Sequence, residues 1–144
     1  MDIRPFIKRD TETVVSLWQS CGLIRSWNNP HLDIERKLAV NPEWFVVGEV
    51  NQEIVASAMF GYEGHRGWVN YLAVSPEHQR RGYAKQLMQF GEDLLLAVGC
   101  PKLNLQVRET NAQALGFYEA LGYKIDASVS RGKRLIPDEE FQTH

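Results

Sequence analysis

The chain has 144 residues, is 44% hydrophobic and carries a formal net charge of −2 at pH 7. That length suits a single domain over residues 1–144, and that composition suffices for a real core. The small negative charge excludes a global basic field for nucleic acid or an anionic membrane, and no run approaches the roughly 18 apolar residues of a membrane span.

The first residues, Met1-Asp2-Ile3-Arg4-Pro5-Phe6, lack an apolar signal region, which fits a cytoplasmic protein. Cys21 and Cys100 read as reduced thiols in core-like surroundings. The histidines show no metal-ligand spacing with them, so no metal is expected.

Taken in chain order, Ile3 to Phe6 predicts a first strand. Asp10 can cap a helix carrying Val14, Leu17, Trp18 and Cys21 at helical spacing, with Gly22 placed to end it. Asn29-Pro30 opens a second helix through Leu38. The connection, Leu23 to Asn28, contains Arg25 and Trp27. Trp44 to Val50 and Ile54 to Tyr62 are β-rich runs around a turn at Asn51-Gln52. Glu63 to Gly67 is turn-like, and Trp68 to Val74 is the next strand.

Lys85 to Val98 has helical spacing in Leu87, Met88, Gly91, Leu94, Leu95 and Val98, and Gly99 and Pro101 stop it. In Lys102 to Arg108 apolar and polar residues alternate, predicting a fifth strand with Gln106 on its polar face. Ala112 to Leu121 is a short helix with Asn111 near its start and Gly122 just past its end. Tyr123 onward reads as a strand hairpin turning near Asp126-Ala127. The tail from Pro137 is charged and reads as frayed. The order β-α-α-β-β-β-α-β-α-β-β is a mixed α/β arrangement with antiparallel hairpins. The antiparallel hairpins exclude a doubly wound dinucleotide fold, and no GxGxxG is present either.

The strand Leu72-Ala73-Val74 runs through a polar loop into Gln79-x-x-Gly82-x-Ala84, with Arg80 and Arg81 inside it. Small residues let backbone approach a ligand, and the first N–H groups of a helix favour an anion. Backbone N–H groups from Arg81 to Lys85 suit a pyrophosphate, and Arg80, Arg81 and Lys85 add charge. The same residues also suit an ordinary strand–helix turn with solvated cations.

This stretch, Leu72 to Lys85, resembles the acyl-CoA-binding motif of the GNAT N-acetyltransferase superfamily. A second stretch, with Asn111, Ala114, Tyr118, Gly122 and Tyr123, resembles the second motif of that family. The resemblance implies an α+β fold: a mixed, mostly antiparallel sheet of about seven strands flanked by about four helices. It implies acetyl-CoA as cosubstrate, held by Leu72, Ala73, Val74, Gln79, Arg80, Arg81, Gly82, Tyr83, Ala84 and Lys85, with Asn111 and Tyr118 beside it. It also implies a bulge in the strand at Leu72-Ala73-Val74, whose backbone groups bind the pantetheine and polarise the thioester. Asn111 is equally a helix cap, and Tyr118 shares helical spacing with Leu115 and Leu121 as a core aromatic would. A tyrosine keeps its proton at pH 7, its ordinary pKa being about 10, so Tyr118 suits protonation of a departing thiolate.

The pattern is most similar to the ribosomal-protein alanine acetyltransferase type, with one departure. Where relatives carry a base glutamate in the fourth or the fifth strand, this chain has Trp68 and Gln106. Gln106 can orient a water or the amine without taking a proton, and Glu63 and His65 are the nearest ionisable alternatives in sequence. Deprotonating a lysine-type amine at pH 7 costs roughly 4–5 kcal/mol, and an α-amine only about 1 kcal/mol. The expected reaction is therefore direct acetyl transfer to a primary amine, an α-amine of a peptide or small molecule. The alternative is an acyl-CoA-binding sensor or regulatory domain without turnover. No nucleic-acid or membrane partner is expected, and a homodimer is compatible with the resemblance.

Overall fold

The computed structural model describes residues 1–138, in two compact units: Met1–Asn104 with Asp138, and Leu105–Pro137.

In the first unit, β1 (Asp2–Pro5) is followed by α1 (Thr11–Ser20) and α2 (Pro30–Leu38). The chain then makes β2 (Phe45–Val50), β3 (Glu53–Tyr62) and β4 (Gly67–Val74), the long helix α3 (Tyr83–Ala97), and β5 (Leu103–Asn104). The strands form one sheet in sequence order. The first three pairings are antiparallel and β4–β5 is parallel. Asn51 and Gln52 both have positive φ, as a two-residue hairpin turn requires.

Side chains alternate across β3, and this places a helical layer on each face of the sheet. Trp18 of α1 bonds to Ser57, while Gly91 of α3 lies against Phe60. The α1 face buries Phe6, Val14, Trp18, Phe45, Val47 and Met59. The Phe6 and Phe45 rings stack with centroids 4.2 Å apart. On the other face Phe60, Leu87 and Met88 are fully enclosed. At Gly91 a Cβ would lie 2.0 Å from Phe60 Cε1, so only glycine lets α3 approach β3 this closely.

Helix ends follow local chemistry. Asn29 caps α2, its Oδ1 accepting from the N–H of His31 at 2.9 Å, with Pro30 as the first helical residue. Gly22 ends α1 with a φ of 69°. Asp10 precedes α1 but does not cap it, contrary to the sequence reading. Its carboxylate turns back to the N–H of Ile7 and to the guanidinium of Arg4 at 2.8 and 3.0 Å. A buried charge gains more from an opposite charge than from a helix terminus.

In the second unit, α4 (Ala112–Ala120) is the only regular element among the described residues. Two sequence expectations are corrected. The sheet has five strands, and the fifth covers Leu103–Asn104 rather than Lys102 to Arg108. Alternation decides which face is apolar, whereas the length of a ladder is decided by the neighbouring strand. Only Gly67 and Trp68 of β4 offer partners. The hairpin expected from Tyr123 is not a strand pair among the described residues, although the chain bends at residues 127–128. Ile125, Val129 and Leu135 are 94%, 82% and 85% exposed. A hairpin needs a surface on which to bury its apolar face, and these side chains are not buried among the described residues. The tail also differs from its reading. Asp138 is pinned by Arg36 at 2.7 Å and by the N–H of Asn29 at 3.0 Å, and residues 139–144 lie outside the described ones.

Candidate functional site

The candidate site lies on β4 and the turn after it. Pairing of β3 with β4 runs from Met59–Asn70 to Ser57–Ala73. Ala58 alone therefore faces both Tyr71 and Leu72, and β4 carries a bulge there. Tyr71 has a φ of 51°, a left-handed conformation rare for a bulky residue. The bulge implied by the resemblance exists, centred one residue before Leu72. On its other edge β4 pairs with β5 only at Gly67 and Trp68, leaving Asn70 to Val74 without a strand partner on that side among the described residues.

The end of β4 is tied down. The Val74 carbonyl accepts from the Cys21 thiol at 3.3 Å and from Gln79 Nε2 at 3.2 Å. Burial pushes the Cys21 thiol pKa up, which disfavours the thiolate, and the thiol donates to this carbonyl. The chain then turns through Pro76–His78 and two left-handed residues, Arg80 at 65° and Gly82 at 79°, and α3 begins at Tyr83. The first helical bond here runs from Gln86 N–H to the Gly82 carbonyl at 3.0 Å. The N–H groups of Tyr83, Ala84 and Lys85 consequently point out of the helix start unbonded to it. Arg80, Arg81 and Lys85 are exposed, and none joins an ion pair among the described residues. Nothing lies within 4 Å of where a Gly82 side chain would begin. Open space, free N–H groups and three cations fit a polyphosphate such as that of coenzyme A.

The remaining candidate residues named from the sequence, Asn111, Tyr118 and Gln106, belong to the other unit. Asn111 caps α4, its Oδ1 accepting from Ala114 N–H at 3.1 Å. Gly122, with a φ of 94°, ends the helix. Tyr118 is half-buried, with Phe117 and Tyr123 edge-on at 5.0 and 6.0 Å between centroids. Burial pushes its phenol pKa up to about 12. Gln106 is exposed and one N–H of its amide donates to Ser130 Oγ.

Trp68 is partly exposed on β4 and Trp27 is more than half exposed. Arg25 is half-buried in the α1–α2 connection, and its carbonyl accepts from Asn28 N–H at 3.1 Å. Glu63 closes its own turn, accepting from the N–H groups of Arg66 and His65, and these bonds hold its carboxyl below the usual range. A carboxylate so stabilised is a weaker base. Sequence reasoning missed Ser57, Tyr71 and Asp33. Tyr71 donates its hydroxyl to Asp33 Oδ2 at 2.6 Å. The available signal was Ser57, a lone hydroxyl inside the apolar run Ile54 to Phe60, which had to find a partner.

Residues 11–123 match the model of the Acetyltransferase (GNAT) family. An acetyltransferase of Yersinia pestis is 50% identical over 141 residues, covering 98% of this chain and 100% of its own. An acetyltransferase of Pectobacterium atrosepticum is 50% identical over the same shares. Among solved structures, Ard1 from Thermoplasma volcanium superposes with a TM-score of 0.76 at 26% identity, covering 88% of this chain and 84% of that one. The ribosomal-protein-S18-alanine N-acetyltransferase from Escherichia coli superposes with a TM-score of 0.70 at 23% identity, covering 84% and 76%. A bulged fourth strand that opens directly into a left-handed, cation-rich helix start, within a mostly antiparallel sheet of this order, agrees with those matches, and the chain belongs to the GNAT acetyltransferase family.

Proposed function

We propose that this chain transfers an acetyl group from acetyl-CoA to an α-amine of a peptide or small molecule, by direct attack in a ternary complex. Enzymes of the family use acetyl-CoA and act on amines. The observation that carries the reading is the turn from Val74 to Lys85, where two left-handed residues open α3 beside three exposed cations.

In this mechanism the residues Gln79 to Lys85 hold the pyrophosphate. The neutral amine attacks the thioester carbon, a C–N bond forms and the C–S bond breaks. Backbone groups of Leu72, Ala73 and Val74 steady the negative charge that develops on the carbonyl oxygen. Tyr118 gives its proton to the departing thiolate. A phenol stays protonated through neutral pH, so the proton is present to be given. Gln106 orients the amine or a water through its carbonyl. Asn111 both caps α4 and borders the pantetheine. With no carboxylate at Trp68 or Gln106, and Glu63 committed to its own turn, the preferred acceptor is one that loses its proton cheaply.

The test is release of CoA from acetyl-CoA, screened across small amines and peptides with free or blocked α-amines. Turnover confined to free α-amines is the expected result. Binding of acetyl-CoA without turnover on any amine would leave a sensor and not an enzyme.

A further inference from the structure

Ser57 is fully buried in the middle of β3. Its hydroxyl accepts from Trp18 Nε1 at 2.9 Å and lies 3.0 Å from the Tyr71 carbonyl oxygen. An indole nitrogen can only donate. The serine therefore accepts from it, and its own proton goes to Tyr71. That carbonyl belongs to the bulge, where two residues of β4 face one of β3 and the regular ladder is interrupted.

Tyr71 is held at two further points. Its ring stacks on Trp18, with centroids 3.8 Å apart and an interplanar angle of 14°. Its hydroxyl donates to Asp33 Oδ2 at 2.6 Å. A left-handed tyrosine persists only where its surroundings over-determine it, and here carbonyl, ring and hydroxyl are each engaged.

We propose that Ser57 is a positioning residue for acyl transfer. By holding the Tyr71 carbonyl from inside the sheet, it fixes the bulge and so the aim of the Leu72 and Ala73 backbone groups at the acyl group. This rests on the reading that β4 receives the thioester. Ser57 touches neither substrate; it acts through Tyr71. Trp18 in turn fixes the polarity of the serine hydroxyl.

The test compares Ser57→Ala, Ser57→Cys and Trp18→Phe with wild type. Thermal melts and circular dichroism report folding. Calorimetry with CoA and with acetyl-CoA reports binding, and steady-state rates separate kcat from KM. Misplacing a reacting group by about an ångström costs on the order of 10²-fold in rate. Ser57→Ala should lower kcat by roughly 10–100-fold. It should also erase any preference for acetyl-CoA over CoA, with CoA affinity unchanged. Ser57→Cys, close in volume and a weaker donor, should fall between, and it carries the same test if Ser57→Ala does not fold. Trp18→Phe removes the indole donor that sets the polarity of Ser57 but keeps an aromatic ring against Tyr71, so it should lower kcat by less than Ser57→Ala does. A folded Ser57→Ala protein with wild-type kcat and wild-type preference for acetyl-CoA would overturn the proposal. Wild type that bound neither CoA nor acetyl-CoA would overturn the underlying reading as well.

Discussion

Gln79 Nε2 donates to the Val74 carbonyl across 3.2 Å, tying the loop before α3 to the last residue of β4. The turn at Arg80 and Gly82 is therefore carried by the sheet and does not hang free.

Gly82→Glu should abolish acetyl-CoA binding in calorimetry. The glutamate would enter the open space beside the turn and put a negative charge where the pyrophosphate is proposed to lie. Gly82→Ala is the control. It carries the same backbone strain at a φ of 79°, worth about 1–2 kcal/mol, without the charge. Unchanged affinity in a folded Gly82→Glu protein would remove the turn from the binding site.

Tyr118→Phe keeps the ring packed against Phe117 and Tyr123 and removes only the hydroxyl. If the phenol is the acid, kcat should fall by about 10²–10⁴-fold with little change in acetyl-CoA affinity. Burial raises the Tyr118 pKa to about 12, so the acid stays protonated as pH rises through the unperturbed value. The alkaline limb of the wild-type rate profile should then show no loss near pH 10. A loss there, absent from Tyr118→Phe, would show that the phenol ionises in its ordinary range.

Competition between peptides with one free α-amine and peptides with a blocked α-amine and one lysine should favour the former. The pH–rate profile should follow the amine, with no enzyme carboxylate near pH 6. Gln106→Glu should raise activity on the more basic amines. Strong preference for lysine peptides would demand a base elsewhere, and Glu63, its carboxyl already stabilised by two N–H groups, would be a poor one.

Asp10 shapes stability and not chemistry. Burial alone would raise its carboxyl, but Arg4 and the Ile7 N–H outweigh this and hold it below the usual range. A depressed carboxyl stabilises the fold above its unfolded pKa of about 3.9 and loses that contribution as pH falls through the folded value. Wild type should lose stability below about pH 4, and Asp10→Asn should flatten that dependence. At pH 7 the substitution should cost about 1–3 kcal/mol in denaturant melts, since it leaves the partly exposed Arg4 short of a partner.

Gly91→Ala should lower stability by about 1–3 kcal/mol, because the added Cβ overlaps Phe60 and must push α3 away from β3. Adding Phe60→Leu should recover part of the loss. Equal melts for wild type and Gly91→Ala would show that this interface yields easily.

The sequence by itself determined what rests on local chemistry and periodicity. Asn29-Pro30 and Asn111 start helices wherever they lie, because a side-chain oxygen satisfies N–H groups a few atoms away. The spacing of Leu87, Met88, Gly91 and Leu95 named the buried face of α3, since one turn of helix repeats regardless of what it packs on. The Gln79 to Ala84 motif named the tight turn that opens α3, because the left-handed glycine it needs is a local matter too. Only the tertiary structure decided what depends on residues distant in sequence. The bulge at Tyr71 has Ala58 opposite it, Ser57 behind it and Trp18 against its ring, from two other elements, β3 and α1. Asp10 abandons its capping position for Arg4, and Asp138 is anchored by Arg36, since charges pair across space and not along the chain. The fifth strand ends after Asn104 although Leu105 and Val107 continue its alternation, because a strand extends only as far as its neighbour offers partners.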